Sequence, residues 1–79
     1  MPKKSIRLDR LVAALTKLGF VQRTHRLGSH GIFVEPITGL VVTLPMGRKE
    51  VPIVYLRAAL RQIVDRGMMP EDDFLELLK

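Results

Sequence analysis

Three short β-type runs lie between two stretches of helical periodicity, and this order is the strongest constraint on the fold. The runs cover residues 20–26, 30–35 and 40–44. Glycine-containing turns separate them, and such short connections favour an antiparallel meander. Apolar residues spaced three or four apart predict helices over residues 5–18 and 53–66, with Ser5 as the N-cap of the first helix.

The predicted helices end at glycines, Gly19 and Gly67, which suit the left-handed position that closes a helix. A shorter helix is predicted to begin at Pro70 and to be pinned to the body by Phe74. The order α-β-β-β-α with this tail predicts an α+β domain of two layers. It consists of a three-stranded antiparallel sheet with two helices on one face and a short C-terminal helix. We expect one domain over residues 1–79, with its core in 5–67 and the tail in 70–79.

The second predicted strand is apolar on both faces. If Phe33 points towards the helices, Ile32 and Val34 point away from them. An apolar sheet face without a helix over it usually marks a protein partner. We therefore expect a second copy of the chain or a cognate protein to bind there.

The composition excludes several kinds of site. The chain has no cysteine, which excludes a disulfide framework, a cysteine zinc site and a thiol nucleophile. Two histidines disfavour a metal site made of histidine alone. No apolar run approaches the length of a membrane span. We expect a cytoplasmic protein with no metal, no cofactor and no membrane contact.

Charge points to a polyanionic partner. The net charge is +5, and residues 1–26 carry seven basic side chains against one acidic side chain. Small basic domains commonly bind nucleic acid, although the same charges can simply form a solvated surface. The cations chosen as phosphate contacts, from charge and expected proximity, are Arg23, Arg26, Arg48 and Lys49.

The segment Gly28-Ser29-His30 is the best candidate for chemistry. An imidazole exchanges protons near neutral pH. At a bound RNA it could accept the proton of a 2′-hydroxyl or protonate the departing 5′-oxygen. The plainer alternative is that His30 is a surface residue, Gly28 a turn residue and Ser29 a partner of the turn backbone.

A second histidine, His25, depends on the length of the loop before His30. A two-residue loop, Leu27-Gly28, would set His25 opposite His30 and allow an acid–base pair. A three-residue loop that begins at Arg26 would set His25 opposite Ser29 instead. Leucine disfavours the positive φ that the shorter turn requires, so we favour the longer loop and assign His25 no catalytic role.

These features together resemble the HicA-type toxins, mRNA interferases of toxin–antitoxin systems. The resemblance covers about residues 8–75. Its motifs are Leu15 to Phe20 at the first helix end, Gly28-Ser29-His30 followed by Phe33 and Pro36, Val41 to Pro45, Val51-Pro52-Ile53, Leu56 to Leu60, and Phe74. The sequence departs from the family pattern at Met46-Gly47, where a histidine is common, and at Val54-Tyr55.

The resemblance implies a fold like that of double-stranded-RNA-binding domains. It implies metal-independent, ribosome-independent cleavage of mRNA, with His30 in the position of the catalytic histidine. Gly28 and Ser29 of the same motif join the four cations as candidate RNA-binding residues. A HicB-type antitoxin would neutralise the toxin by covering the active site.

Two other functions fit the residues. A non-catalytic RNA-binding module would use His30 as a contact and recognise duplex shape. A pure protein-interaction domain would need only the apolar sheet face. Few aromatic residues, three Phe and one Tyr, argue against a platform that stacks single-stranded bases.

Overall fold

A computed structural model describes residues 4–23 and 30–79 of the chain. The elements, in chain order, are β1 (Ser5–Arg7), α1 (Leu8–Lys17), β2 (Val21–Arg23), β3 (His30–Glu35), β4 (Leu40–Pro45), β5 (Glu50–Pro52), α2 (Ile53–Asp65) and α3 (Glu71–Leu77). β2, β3 and β4 form a three-stranded antiparallel sheet with β3 in the centre, and β1 pairs with β5. This is the predicted α+β arrangement, with a second small sheet added.

The three-stranded sheet has one buried face and one open face. Phe33 in β3 and Val42 and Leu44 in β4 are buried, whereas Ile32 and Val34 are only half-buried. Alternation along a strand sends neighbouring side chains to opposite faces. Phe33 therefore points into the core, which is the condition under which Ile32 and Val34 were expected to face away from the helices. We call the face that carries Ile32 and Val34 the outer face.

The core lies between the buried sheet face and the helices. Each helix contributes the apolar side chains that its three- and four-residue spacing places on the face towards the sheet. Its fully or nearly fully buried members are Leu8, Leu11, Ala14, Leu15, Phe20, Phe33, Leu40, Val42, Leu44, Val51, Leu56, Ala59, Ile63 and Phe74. Val64, whose helical spacing from Leu60 predicts a core position, is exposed.

The glycine predicted to end the first helix does so in a Schellman motif. Gly19 adopts a φ of 99°. The N–H of Phe20 donates to the Leu15 carbonyl and the N–H of Gly19 to the Thr16 carbonyl, each at 3.0 Å. A side chain with a Cβ rarely adopts this φ, so the glycine sets where α1 ends and β2 begins.

The predicted start of the first helix is wrong. Ser5 lies in β1, and α1 begins at Leu8 with Arg7 as an N-cap that makes no side-chain capping bond. Ile6 lies opposite the buried Val51 of β5. This pairing joins segments 45 residues apart, and its backbone bonds replace those of an extra helical turn.

The predicted register between the first two strands of the meander is also wrong over the described residues. Val21 lies opposite Val34 and Arg23 opposite Ile32. The favoured three-residue loop would have set Arg23 opposite the buried Gly31. A one-residue slip exchanges the faces of a strand, so it would have turned this arginine towards the core. The described pairs follow the register of the two-residue loop, while His25 itself lies outside the described residues.

Among residues 4–23 and 30–79, no helix combines the length and the hydropathy needed to cross a bilayer.

Candidate nucleic-acid interface

His30 opens β3 at one end of the sheet, and its side chain is exposed. On the neighbouring strand it lies opposite Pro45, which is buried. Proline has no backbone N–H, so it donates no bond to this end of the sheet. Because Phe33 points inward, alternation puts His30 on the outer face with Ile32. The imidazole is therefore open to a ligand that approaches the outer face.

Arg23 lies on the same face as His30. It is exposed and sits opposite Ile32, two positions along β3 from His30. Directly opposed residues share a face, and diagonal neighbours on paired strands lie about 7–8 Å apart. The sheet thus places Arg23 and His30 on the same face of neighbouring strands.

Arg48 and Lys49 lie at the same end of the sheet but on the helix side. Gly47, with a φ of 76°, turns the chain after β4, and the Lys49 carbonyl then accepts the Leu8 N–H at 2.9 Å. The two cations line an open groove of about 510 Å³ against the start of α1. We call it the sheet-end groove; its walls are Arg7, Leu8, Asp9, Val12, Ala13, Met46, Arg48 and Lys49.

Met46 lies on the helix side of the sheet, opposite the face that carries His30. Its side chain lines the sheet-end groove and covers Gly31, the residue after His30. The predicted phosphate contacts therefore form two neighbouring groups. Arg23 accompanies His30 on the outer face, and Arg48 and Lys49 lie around the edge.

Three predicted RNA-binding residues, Arg26, Gly28 and Ser29, lie outside the described residues. So does His25. Their assignment rests on the sequence alone.

A second groove, which the sequence did not predict, lies beside β1. It occupies about 630 Å³, and we call it the β1 groove. Its walls are Lys4, Ser5, Ile6, Arg7, Arg10, Glu50, Ile53, Leu56, Leu78 and Lys79. The only sequence signal for it is the alternation of polar and apolar residues in Ser5–Arg7 and Glu50–Pro52. Runs of three residues are too short to be recognised as strands.

One ion pair shapes the boundary between the grooves. Arg7 Nη2 lies 2.8 Å from Asp9 Oδ2, and both side chains are exposed. The hydrogen bond from Arg7 lowers the pKa of Asp9 below its ordinary value, and the same bond raises the pKa of Arg7. Asp9 therefore stays ionised and neutralises part of the local positive charge.

Within the described ranges, no three His, Asp or Glu side chains gather in a group that could hold a metal ion.

A model of the HicA toxin of bacterial toxin–antitoxin systems matches residues 9–63, well over half of the chain. This chain belongs to the HicA toxin family. The matched range contains His30, Arg23, Arg48 and Lys49, and it ends before α3. Among curated proteins, no sequence matches the chain.

Family membership settles the general function. HicA proteins are toxins of toxin–antitoxin systems and are generally ribonucleases that cleave mRNA. Membership accordingly implies nuclease activity, an RNA substrate and an antitoxin partner. This agrees with the resemblance carried by Gly28-Ser29-His30 and the strands around it.

Proposed function

We propose that this HicA protein is a metal-independent endoribonuclease in which His30 transfers a proton during cleavage. The observation that carries the proposal is the placement of an exposed imidazole beside Arg23 on the outer face, within the range that matches the family. An imidazole can transfer the proton, and a cation on the same face can stabilise the charge that develops on the phosphate, so cleavage of RNA at such a site needs no metal.

The reaction needs no water in its first step. The ribose 2′-oxygen forms a bond to the adjacent phosphorus, and the bond from phosphorus to the 5′-oxygen breaks. A base takes the proton of the 2′-hydroxyl, and an acid gives a proton to the 5′-oxygen. The products are a 2′,3′-cyclic phosphate and a 5′-hydroxyl. His30 supplies one or both of these proton transfers.

The neighbouring cations hold the substrate and stabilise the negative charge that grows on the phosphoryl oxygens. Arg23 is the described cation on the outer face beside His30. Arg48 and Lys49 take phosphates further along the strand. Arg26, Gly28 and Ser29, next to His30 in the sequence, are assigned to RNA binding on sequence grounds.

The test is cleavage of a purified single-stranded RNA with a metal chelator present. Wild type should cut, and His30→Ala should cut about 10²–10⁴-fold more slowly, the usual contribution of general acid–base catalysis. His30→Gln keeps a polar side chain but cannot replace the proton transfer, so it should be as slow. A substrate with 2′-deoxyribose at the cut position should stay intact, and the products should carry cyclic phosphates.

Each element of the proposal can fail separately. Cleavage that the chelator abolishes would contradict metal independence. Equal rates for wild type and His30→Ala would remove the histidine from the chemistry. RNA that binds tightly to folded wild type and stays intact would favour a non-catalytic binding module. The variant His25→Ala shows whether a second imidazole serves as the partner acid or base.

We further propose that the antitoxin binds the outer face of the sheet. Val21 and Val41 there are 52% and 46% exposed, and Ile32 and Val34 are half-buried. An apolar surface of this kind beside His30 offers a docking site whose occupant would also block the imidazole. The same surface could instead join two copies of the toxin, an outcome that the mass of the isolated chain distinguishes.

A further inference from the structure

The β1 groove combines an apolar floor with a basic rim. Ile6, Ile53 and Leu56 form part of the floor, and Lys4 and Arg10 are exposed on the rim. The groove lies away from His30, at the pairing of the N-terminal strand with β5. Nothing in the catalysis described above uses it.

The rim keeps free positive charge. Among the described residues, the ion pairs join Arg7 to Asp9 and Lys79 to Glu76, so Lys4 and Arg10 belong to neither. The one acidic residue in the groove, Glu50, accepts a hydrogen bond from the Ser5 hydroxyl. Lys4 and Arg10 are therefore available to an anionic ligand.

The β1 groove adjoins the sheet-end groove. Arg7 lines both the β1 groove and the sheet-end groove. The hydrogen bond of 2.9 Å from Leu8 to Lys49 holds the start of α1 beside the two cations of the sheet-end groove. Met46, another wall of the sheet-end groove, directly follows Pro45, which pairs with His30 at this end of the sheet.

The basic residues of this route contrast with the acidic tail. Glu71, Asp72 and Asp73 occupy the first turn of α3. From this part of the chain the β1 groove is lined by Leu78 and Lys79, which follow the opposite end of that helix. A helix of this length separates its ends by about 10 Å. An anionic strand that follows the route therefore avoids this acidic turn and passes the Arg7–Asp9 ion pair where the two grooves meet.

We propose that the β1 groove is a second phosphate-binding site, and that an RNA strand cut at His30 continues over the sheet-end groove into it. This inference rests on the proposed ribonuclease function, because it takes RNA as the ligand. Lys4 and Arg10 would contact phosphates several nucleotides away from the scissile bond. The site would govern how long an RNA must be for tight binding.

The experiment measures RNA binding with His30→Ala as the background, so that the RNA is not consumed. The test variant adds Lys4→Ala and Arg10→Ala. The matched control adds Lys17→Ala and Arg61→Ala, which remove the same charges from exposed helical positions that line neither groove. Affinity is measured against salt for oligonucleotides of about 4 and about 16 nucleotides, the range of site sizes of small single-strand-binding domains.

The proposal expects a length-dependent effect. Each phosphate contact on a single strand contributes about 0.7 to the slope of log affinity against log salt, so the test variant should lose about 1.4 on the long RNA. On the short RNA it should match the control. The control variant should show the same slope of log affinity against log salt as His30→Ala alone, on both RNAs. Circular dichroism confirms that both variants are folded.

Equal slopes for test and control variants on the long RNA would overturn the proposal. Binding of poly-glutamate is measured as well. If the test variant binds it less well while the RNA slopes stay equal, the groove is assigned to an acidic protein segment and not to RNA. Failure of the ribonuclease function is a separate result, because it appears as uncut RNA with wild type while binding is still measurable.

Discussion

Gly31 lies directly beneath the side chain of Met46. A Cβ placed on this glycine would stand 2.8 Å from Met46 Cγ and 3.0 Å from Met46 Sδ. Such distances are shorter than carbon and sulfur atoms tolerate without movement. Packing against Met46 therefore favours glycine at position 31.

The first prediction is that Gly31→Ala destabilises the protein. Overpacking costs about 1–3 kcal/mol, whereas alanine gains about 0.4–1 kcal/mol through a less flexible unfolded chain. The free energy of unfolding should fall by about 1 kcal/mol, as measured by urea titration. Cleavage should slow as well, since the backbone beside His30 must shift.

A double-mutant cycle provides the control for this prediction. In a Met46→Ala background the added methyl group still lies 3.3 Å from Gln22 Nε2 but no longer meets the Met46 side chain, so Gly31→Ala should cost less there than in wild type. An equal cost in both backgrounds would mean that Met46 does not restrict position 31.

The second prediction concerns the buried carboxylate of Glu35, which is only 5% exposed. It accepts bonds from Thr38 Oγ1 at 2.6 Å, Thr38 N at 2.7 Å and Ile37 N at 3.1 Å. These bonds, that of the Thr38 hydroxyl foremost, lower the pKa of Glu35 below its ordinary value. The ionised carboxylate thus closes the turn between β3 and β4.

A lowered pKa fixes the direction of the pH effect. The unfolded chain binds the proton more tightly, so Glu35 stabilises the fold above the ordinary glutamate pKa of about 4.3 and loses this contribution as the pH falls through its lowered value. Urea titrations across this acid range should show a smaller fall in stability for Glu35→Gln than for wild type. Parallel curves for the two proteins would contradict the assignment.

The third prediction is that α3 completes the core, although it lies outside the range that matches the family. Phe74 is fully buried, and α3 packs against both α1 and α2. Phe74→Ala should reduce the free energy of unfolding by about 3–5 kcal/mol. Domains of this size have a total of about 4–12 kcal/mol, so much of the stability would be lost.

Leu75→Ala is the matched substitution in the same helix, because Leu75 is only half-buried. It should cost clearly less than Phe74→Ala in the same denaturation experiment. If Phe74→Ala and Leu75→Ala each lower the free energy of unfolding by less than about 1 kcal/mol, α3 does not form part of the core.

The fourth prediction tests the antitoxin surface. Val41→Glu places a charge on the outer face, beside Val34 in the neighbouring strand, and should weaken antitoxin binding at least tenfold in a titration. Val54→Glu is the control, since Val54 is 60% exposed at the start of α2, away from that face. Both should leave the free energy of unfolding within about 0.5 kcal/mol of wild type.

If Val54→Glu weakens the complex as much as Val41→Glu, the antitoxin binds elsewhere. An isolated toxin that runs as a dimer and becomes a monomer with Val41→Glu would assign the outer face to a second copy of the chain.

The elements with strong local signals were predictable from the sequence. The β3 strand has the bounds predicted, residues 30–35, and Phe33 faces opposite Ile32 and Val34, because alternation is set by the chain itself. Gly19 ends α1 as expected, since few other residues adopt its φ. Both features depend on neighbours within a few residues.

The errors arose where distant segments meet. Ser5 was predicted to cap a helix, yet its backbone pairs with β5 far along the chain. The register of β2 was inferred from preferences of a turn, whereas burial of Gly31 and exposure of Arg23 decide the described pairs. The β1 groove was missed for the same reason, because its walls come from both ends of the chain.

The sequence by itself therefore determined the order of the main elements, the basic character of the surface and the motif around His30 that marks the HicA family. The tertiary structure alone decided which of the described cations share a face with the histidine and where a second groove forms. Periodicity and turn chemistry act locally along the chain. The neighbours of an exposed side chain depend instead on long-range strand pairing, which is fixed only when the whole core is packed.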